Sequence, residues 1–232
     1  MQLKINVPFT YRLPLTATTS MKGNLIIISS PSGGGKGTLI KEVLKTLPNI
    51  GYSVSYTTRD MREGETNGKD YFFVSRAEFE HLIEQGEFLE HATVHGNFYG
   101  TSVKQVKTEI EAGRDVILEI DVQGAASVRK AIPEAVSVFI LPPSFEVLRR
   151  RLIARATEDE QHLALRLKNS FDEVNRYTEF EYVVINDDKT KATFDLKTVI
   201  LAERLRRIRQ SRAIQGILDS FEQSKNQATI GE

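Results

Sequence analysis

A glycine-rich segment with one lysine, SSPSGGGKGTL at residues 29–39, has residue types suited to binding phosphate. Glycines let backbone N–H groups close around phosphate oxygens, and Lys36 can reach the β and γ phosphates of a nucleotide. The segment is close to the pattern G-x-x-x-x-G-K-[ST], but Ser30 replaces the first glycine and Gly37 replaces the hydroxyl residue that binds Mg²⁺. The predicted phosphate-binding residues are Ser30, Pro31, Ser32, Gly33, Gly34, Gly35, Lys36, Gly37 and Thr38. The alternative is a merely flexible glycine turn.

Two arginines and two tyrosines further along the chain could form a second phosphate site. Arg59 and Arg62 are three residues apart, and Tyr71 and Tyr99 follow them. Arginine forks and phenol hydroxyls are good ligands for a small phosphate dianion. A single arginine or tyrosine is more often a surface or packing residue. The prediction therefore depends on the ordered set rather than on any one member.

These residues lie within a series of short motifs that resembles the guanylate kinases. The motifs are TTRDMR, GE, DYFFV, FLEH, GNFYGT, ILEIDVQG, FILPPS and VVIND, and they extend over about residues 23 to 209. The resemblance implies a P-loop nucleoside monophosphate kinase that converts ATP and GMP to ADP and GDP. It also implies an α/β P-loop NTPase fold, with a central parallel five-stranded sheet flanked by helices, a GMP-binding mixed β-sheet insertion and a helical lid.

The resemblance assigns the GMP site residue by residue. Arg59, Arg62, Tyr71 and Tyr99 would hold the GMP phosphate, Glu90 and Asp121 would accept hydrogen bonds from guanine N1–H and the 2-amino group, and Ser55 and Thr101 would face O6. The chemistry agrees, because guanine presents two adjacent donors where adenine presents none. A buried carboxylate left unpaired by adenine would cost several kcal/mol, which favours selectivity for guanine.

The resemblance also assigns the catalytic and adenine sites, and the loop and the end of the strand 115–120 suggest a metal site. The predicted catalytic residues are Lys36, Arg59, Arg151, Arg155 and Arg166, the last three being lid arginines that stabilise charge on the transferred phosphoryl group. Asn186 and Asp187 would contact the adenine of ATP, with a turn-capping role as the alternative. Thr38 and Glu119 are the predicted residues for Mg²⁺, which accompanies ATP, directly or through water.

Two competing functions stay open at this point. The first is a binding module, because guanylate-kinase-like domains of scaffold proteins have lost catalysis and bind peptides. Lys36 and the glycine loop argue against this alternative. The second is a kinase for another nucleoside monophosphate, suggested by the GKGT sequence, which adenylate kinases also use.

The elements that must position these residues can be predicted from the apolar pattern. From Asn24 onward, short β-branched runs alternate with amphipathic segments, which is typical of a parallel sheet with helices packed on it. The predicted strands are 24–29, 52–56, 71–74, 88–94, 115–120, 136–141 and 182–185. The predicted helices are 38–47, one opened by a capping box at Ser75 and closed by Gly86, about 102–112, one after an N-cap at Ser144, 160–176 and about 193–222.

The organisation along the chain follows from these elements and from the resemblance. Residues 1–20 are predicted to be a disordered extension, with an organelle-targeting segment as the alternative. Residues 21–232 would form one kinase domain. Its predicted core is 21–53, 103–142 and 180–232, its GMP-binding region is 54–102, and its lid is 143–179.

Composition limits the partners. The chain of 232 residues has 31 basic and 31 acidic side chains, and this balance argues against a protein that coats nucleic acid. It contains no cysteine, which excludes disulfides and thiolate metal sites. No run approaches the ~18 apolar residues of a membrane span. We expect a cytoplasmic protein, monomeric or homodimeric, with ATP and GMP as its partners.

Overall fold

The computed structural model describes residues 23–94, 96–154 and 160–230. In this part of the chain the strands are β1 (Leu25–Ser29), β2 (Ile50–Tyr52), β3 (Tyr56–Thr57), β4 (Phe72–Phe73), β5 (Phe88–Val94), β6 (Asn97–Ser102), β7 (Asp115–Glu119), β8 (Val136–Leu141) and β9 (Tyr182–Ile185). The helices are α1 (Lys36–Thr46), α2 (Arg76–Glu84), α3 (Val103–Glu111), α4 (Val122–Ala131), α5 (Phe145–Ala154), α6 (Glu160–Asn175), α7 (Lys189–Arg204) and α8 (Ser211–Ile230).

Five strands form a parallel sheet in the order β2-β7-β1-β8-β9. The central strand β1 is buried along its whole length, because its run LIIIS is covered on both faces. Ile27 belongs to an apolar cluster that includes residues of α3 and α4, whereas Ile26 and Ile28 belong to a second cluster with α1 and α7. This alternation of side chains confirms the predicted α/β sheet flanked by helices.

A second, mixed sheet has the order β4-β3-β6-β5. Strand β3 is parallel to β4 and antiparallel to β6, and β5 and β6 form an antiparallel pair. Helix α2 covers this sheet with the fully buried ring of Phe79, which stacks on Phe88 at 4.5 Å between centroids. The structure therefore confirms the predicted mixed sheet beside the parallel one.

Replacing Phe79 with alanine is expected to destabilise the protein by about 3–5 kcal/mol, because it leaves a cavity where Phe88 and Phe98 now pack. Chemical denaturation of the purified variant measures this free energy of unfolding. The control is Phe194→Ala, since Phe194 is 67% exposed and should change stability by less than ~0.5 kcal/mol. Equal losses in both variants would contradict the expectation.

Several predicted elements are confirmed, and others are wrong. Ser75 and Glu78 form the predicted capping box, and the Ser144 hydroxyl accepts a hydrogen bond from the backbone N–H of Val147 at 3.3 Å. The predicted strand 52–56 is wrong, because β2 and β3 lie in different sheets. The predicted helix 193–222 is also wrong, because turns at residues 205–210 separate α7 from α8.

Helix α4, strand β6 and a short 3-10 helix at Arg176–Glu179 were not predicted. Helix α4 begins at Val122, three residues after the end of β7 at Glu119. Strand β6 pairs with β5 from one end to the other. In the described part of the chain, no helix is both long and apolar enough to cross a bilayer. The N-terminal extension and Arg155 lie outside the described residues.

Candidate active site

A cavity of about 470 Å³ lies where the glycine-rich loop, the end of β7, the second sheet and α6 meet. It is lined by predicted residues from both phosphate sites and from the base site. The lining residues assigned from sequence are Ser30, Ser32, Lys36, Ser55, Arg59, Arg62, Tyr71, Glu90, Tyr99, Glu119, Asp121 and Arg166. The fold thus brings together side chains that are up to 136 positions apart in the printed sequence.

The glycine-rich loop, residues 30–38, connects β1 to α1. Gly35 has a φ of 90°, a left-handed conformation that suits glycine, and a Cβ there would lie 2.3 Å from the amide nitrogen of Asn186. Lys36 is the first residue of α1, so its side chain leaves from the positively polarised end of the helix. This geometry suits an anion at the loop.

Two side chains from other elements hold the loop in place. The side-chain amide of Asn186, which is 5% exposed, donates to the carbonyl of Gly34 at 2.9 Å. The Arg151 guanidinium donates to the same carbonyl at 3.3 Å and to the Asn186 carbonyl at 2.9 Å. Asp187 accepts a hydrogen bond from the backbone N–H of Asp188, which is the turn contact considered as the alternative for this residue.

Glu119, at the end of β7, faces the start of α1. Its carboxylate lies 3.6 Å from the Lys36 ammonium and accepts a hydrogen bond from the Tyr52 hydroxyl at 3.3 Å. A Cβ on Gly37 would lie 3.2 Å from this carboxylate, which is a tight contact. Glycine in place of the usual serine or threonine therefore lets Glu119 approach the loop, while Thr38 is exposed in the first turn of α1.

The second group of basic and phenolic residues surrounds Arg59. Its guanidinium lies over the ring of Tyr71 at 5.3 Å and donates to Glu65 at 2.8 Å. The hydrogen bond from Arg59 lowers the pKa of Glu65, so this carboxylate is charged at neutral pH. The rings of Tyr71 and Tyr99 meet edge to face at 5.9 Å, and burial raises the pKa of Tyr71 to about 12.

Glu90 is a buried carboxyl group that lines the cavity, with 6% of its surface exposed. It accepts a hydrogen bond from the Thr101 hydroxyl at 2.6 Å. Burial raises its pKa to about 7, the Thr101 hydrogen bond opposes this shift, and the nearby charge of Asp121 adds to it. A Cβ on Gly124 would lie 2.8 Å from Glu90, so the glycine makes room for this carboxyl group.

The same arrangement of motifs is found in known proteins. The guanylate kinase family model matches residues 22–203. A guanylate kinase of Neisseria meningitidis is 51% identical over 86% of this chain and 97% of its own length, and one of Clostridium tetani is 48% identical over 80% and 88%. The chain belongs to the guanylate kinase family. A solved guanylate kinase from Anaplasma phagocytophilum has a TM-score of 0.69 and 38% identity, covering 81% of this chain and 89% of that one.

Within this guanylate kinase, helix α6 contacts the glycine-rich loop at Ser32. The guanidinium of Arg166 donates to the Ser32 hydroxyl at 2.9 Å, and Glu173 accepts a hydrogen bond from the Ser32 backbone N–H at 2.8 Å. Arg166 thus lies at the loop, and its role as a lid arginine stays a prediction. Arg155, the remaining predicted lid arginine, lies outside the described residues.

Two carboxylates of the guanylate kinase site were not singled out from the sequence. Glu65 orients Arg59, and Glu173 binds the loop. The signal for Glu65 was its position in the GE motif, between Arg62 and Tyr71. Glu173 follows Arg166 by seven residues, which is about two helical turns and therefore places both side chains on one face of α6.

Asp121 has a second role besides the one assigned to it. Its carboxylate accepts a hydrogen bond from the backbone N–H of Gly124 at 2.7 Å and so caps the N-terminus of α4. The cap leaves the carboxylate in the wall of the cavity. Because α4 was not predicted, the sequence showed Asp121 only as a possible base ligand.

Proposed function

We propose that this guanylate kinase transfers the γ-phosphoryl group of ATP to GMP, giving ADP and GDP, and that it accepts dGMP as well. The observation that carries the proposal is that one cavity is lined both by the glycine-rich loop and by the buried carboxyl group of Glu90. GMP and dGMP carry the same base and phosphate, so the groups assigned to GMP would also hold dGMP. We expect this reaction to belong to purine nucleotide metabolism.

The acceptor phosphate would bind at Arg59, Arg62, Tyr71 and Tyr99. Arg59 is already held in position by Glu65 and by the Tyr71 ring, so little side-chain freedom is lost on binding. The hydroxyl groups of both tyrosines can donate hydrogen bonds to phosphate oxygens. These four residues belong to other segments of the chain than the glycine-rich loop, which supports a separate acceptor site.

The guanine base would bind against Glu90 and Asp121, with Ser55 and Thr101 toward O6. The Thr101 hydroxyl already donates to Glu90, which orients the carboxyl group. Gly124 admits this carboxyl group because any side chain there would collide with it. Adenine has neither of the two guanine donors, N1–H and the 2-amino group, so it would leave a buried acceptor unpaired.

The donor end would hold the ATP phosphates in the loop 30–38, with Lys36 and the lid arginines Arg151, Arg155 and Arg166 around the γ-phosphoryl group. Charge accumulates on the equatorial oxygens of that group during in-line transfer, and fixed cations stabilise it. The nucleophile is an oxygen of the GMP phosphate, whose second pKa of about 6 makes it largely dianionic at neutral pH. No side chain has to remove a proton from it. The adenine of ATP would contact Asn186 and Asp187.

The residues near Lys36 fit Mg²⁺ bound together with ATP. Glu119 supplies a carboxylate and Thr38 a hydroxyl, and Mg²⁺ commonly takes one or two protein oxygens while keeping water and phosphate ligands. Within residues 23–94, 96–154 and 160–230, no three acidic, histidine or cysteine side chains form a metal-binding group. Bound there, the ion would neutralise charge on the β and γ phosphates.

The decisive test measures ADP release with GMP, dGMP, AMP and UMP as acceptors. We expect GMP and dGMP to react and AMP and UMP to be poor acceptors. Equal rates for AMP and GMP would contradict the role of the guanine edge. Folded protein that binds GMP without releasing ADP would favour the binding module instead.

We expect GMP affinity to rise about ten-fold between pH 6 and pH 8, because Glu90 titrates near 7 in the empty protein. The charged carboxylate is the form that accepts from guanine, so binding strengthens as the proton leaves and weakens as pH falls. Calorimetric titration with GMP at several pH values measures the change. Glu90→Gln keeps the phosphate titration of GMP but should lose the step near pH 7.

Cytoplasmic location, the role of residues 1–20 and the choice between monomer and homodimer stay predictions. Light scattering of the purified chain measures the oligomeric state. Activity of chains that start at Met1 and at Met21 shows whether the extension contributes to the reaction, and their distribution in cells tests targeting.

A further inference from the structure

The backbone N–H and the hydroxyl of Ser32 both bind side chains of helix α6. The backbone N–H donates to the Glu173 carboxylate at 2.8 Å, and the hydroxyl accepts from the Arg166 guanidinium at 2.9 Å. Glu173 and Arg166 are two turns apart on one helix face. Helix α6 is therefore docked on the glycine-rich loop by one anionic and one cationic contact to the same residue.

The contact between Ser32 and the Glu173 carboxylate lies within the phosphate-binding loop. Ser32 lies inside a tight turn closed by the Gly34 N–H and the Pro31 carbonyl at 2.9 Å, within the loop that carries Lys36. Ser32, Lys36 and Glu173 all line the cavity. A carboxylate oxygen and a phosphate oxygen are both anionic acceptors for a backbone N–H. Glu173 thus places an anion at a loop built to bind anions.

The other carboxylates of the cavity have different hydrogen-bond donors. Glu65 binds Arg59, Glu90 binds Thr101, and Asp121 caps α4. Glu119 accepts from Tyr52. Among these lining carboxylates, Glu173 is the one whose donor is an N–H of the phosphate-binding loop. The ATP phosphates would bring further negative charge to the same wall, and like charges close together oppose binding.

We propose that Glu173 is a positioning residue that substitutes for a phosphate oxygen while ATP is absent and is displaced when ATP binds. This inference rests on the proposed function, because it requires ATP at the glycine-rich loop. In the empty protein, Glu173 holds α6 on Ser32 and keeps Arg166 near the loop. Displacement by phosphate moves the carboxylate away and leaves Arg166 beside the phosphates. The position of α6 is thereby coupled to ATP binding and not to GMP binding.

A permanent structural role for Glu173 would predict the opposite change in ATP affinity. If Glu173 were a permanent support that shapes the loop in the ATP complex as well, neutralising it would weaken ATP binding and lower thermal stability. If it competes with phosphate, neutralising it removes a competitor and strengthens ATP binding. The sign of the change in affinity therefore distinguishes the two roles.

The test is calorimetric titration of the full chain with a non-hydrolysable ATP analogue and, separately, with GMP. Glu173→Gln is expected to bind the ATP analogue at least about five-fold more tightly, the lower end of usual coupling between a ligand and a conformational change. Its GMP affinity should stay within two-fold of the wild type. In steady-state assays the KM for ATP should fall while the KM for GMP stays constant.

Asp172→Asn is the matched control, because Asp172 is the preceding residue, is exposed and loses the same charge. It should leave both affinities unchanged. Unchanged or weaker binding of the ATP analogue by Glu173→Gln would overturn the inference while leaving the kinase function intact. A wild-type chain that does not bind the analogue would instead contradict the proposed function.

Discussion

Replacing Lys36 with alanine is expected to lower the turnover of GMP phosphorylation by at least ~10²-fold, the usual cost of removing a group that stabilises charge in the transition state. Lys36 is the first residue of α1, and its ammonium is held 3.6 Å from Glu119 at the cavity wall. A neutral methyl group there removes one of the fixed cations expected around the β and γ phosphates. Initial rates at saturating ATP and GMP measure the loss.

The matched control for Lys36 lies on the same helix. Lys41 is exposed and is absent from the cavity wall, so Lys41→Ala should change turnover by less than two-fold. Binding of GMP to Lys36→Ala shows that the variant is folded, because the acceptor end of the cavity does not include Lys36. Near-normal turnover of Lys36→Ala would refute its role.

The second large expected effect concerns recognition of the guanine base. Glu90→Gln is expected to reduce the preference for GMP over AMP by about 10²-fold, because a hydrogen bond to a charged acceptor contributes about 1.5–3 kcal/mol. The amide loses the charge that favours the two guanine donors, and it gains an N–H₂ that can donate to adenine N1. The ratio of kcat/KM for GMP and AMP measures the change.

A control for Glu90 comes from the start of the same strand. Glu87 precedes β5 and is exposed, so Glu87→Gln changes the charge of the chain equally but should leave the GMP-to-AMP ratio unchanged. A Glu90→Gln variant that keeps the wild-type ratio would place base recognition elsewhere. The fold of the variant is checked by its GMP-independent binding of the ATP analogue.

The parallel sheet and its site loop could be predicted because their signals are local. The β-branched run at β1, the glycines before Lys36 and the capping box at Ser75 each determine the conformation of a few neighbouring residues. The prediction of a strand at 52–56 was wrong because a short apolar run does not show which sheet it joins. The break between α7 and α8 was missed because apolar residues continue through it, with Leu205 and Ile208 both largely exposed.

By itself, the sequence determined the α/β class and the family, and it predicted the types of residue expected to bind ATP and GMP. Motif order and spacing carry this information, because each motif needs only its own strand, turn or helix to form. The tertiary structure decided which groups meet across long separations: Asn186 and Arg151 on the Gly34 carbonyl, Thr101 on Glu90, and Glu173 on Ser32. The physical reason is that hydrogen bonds and burial depend on distances between elements, which periodicity within one element does not specify. The raised pKa of Glu90 follows from such burial and was invisible until the chain was folded.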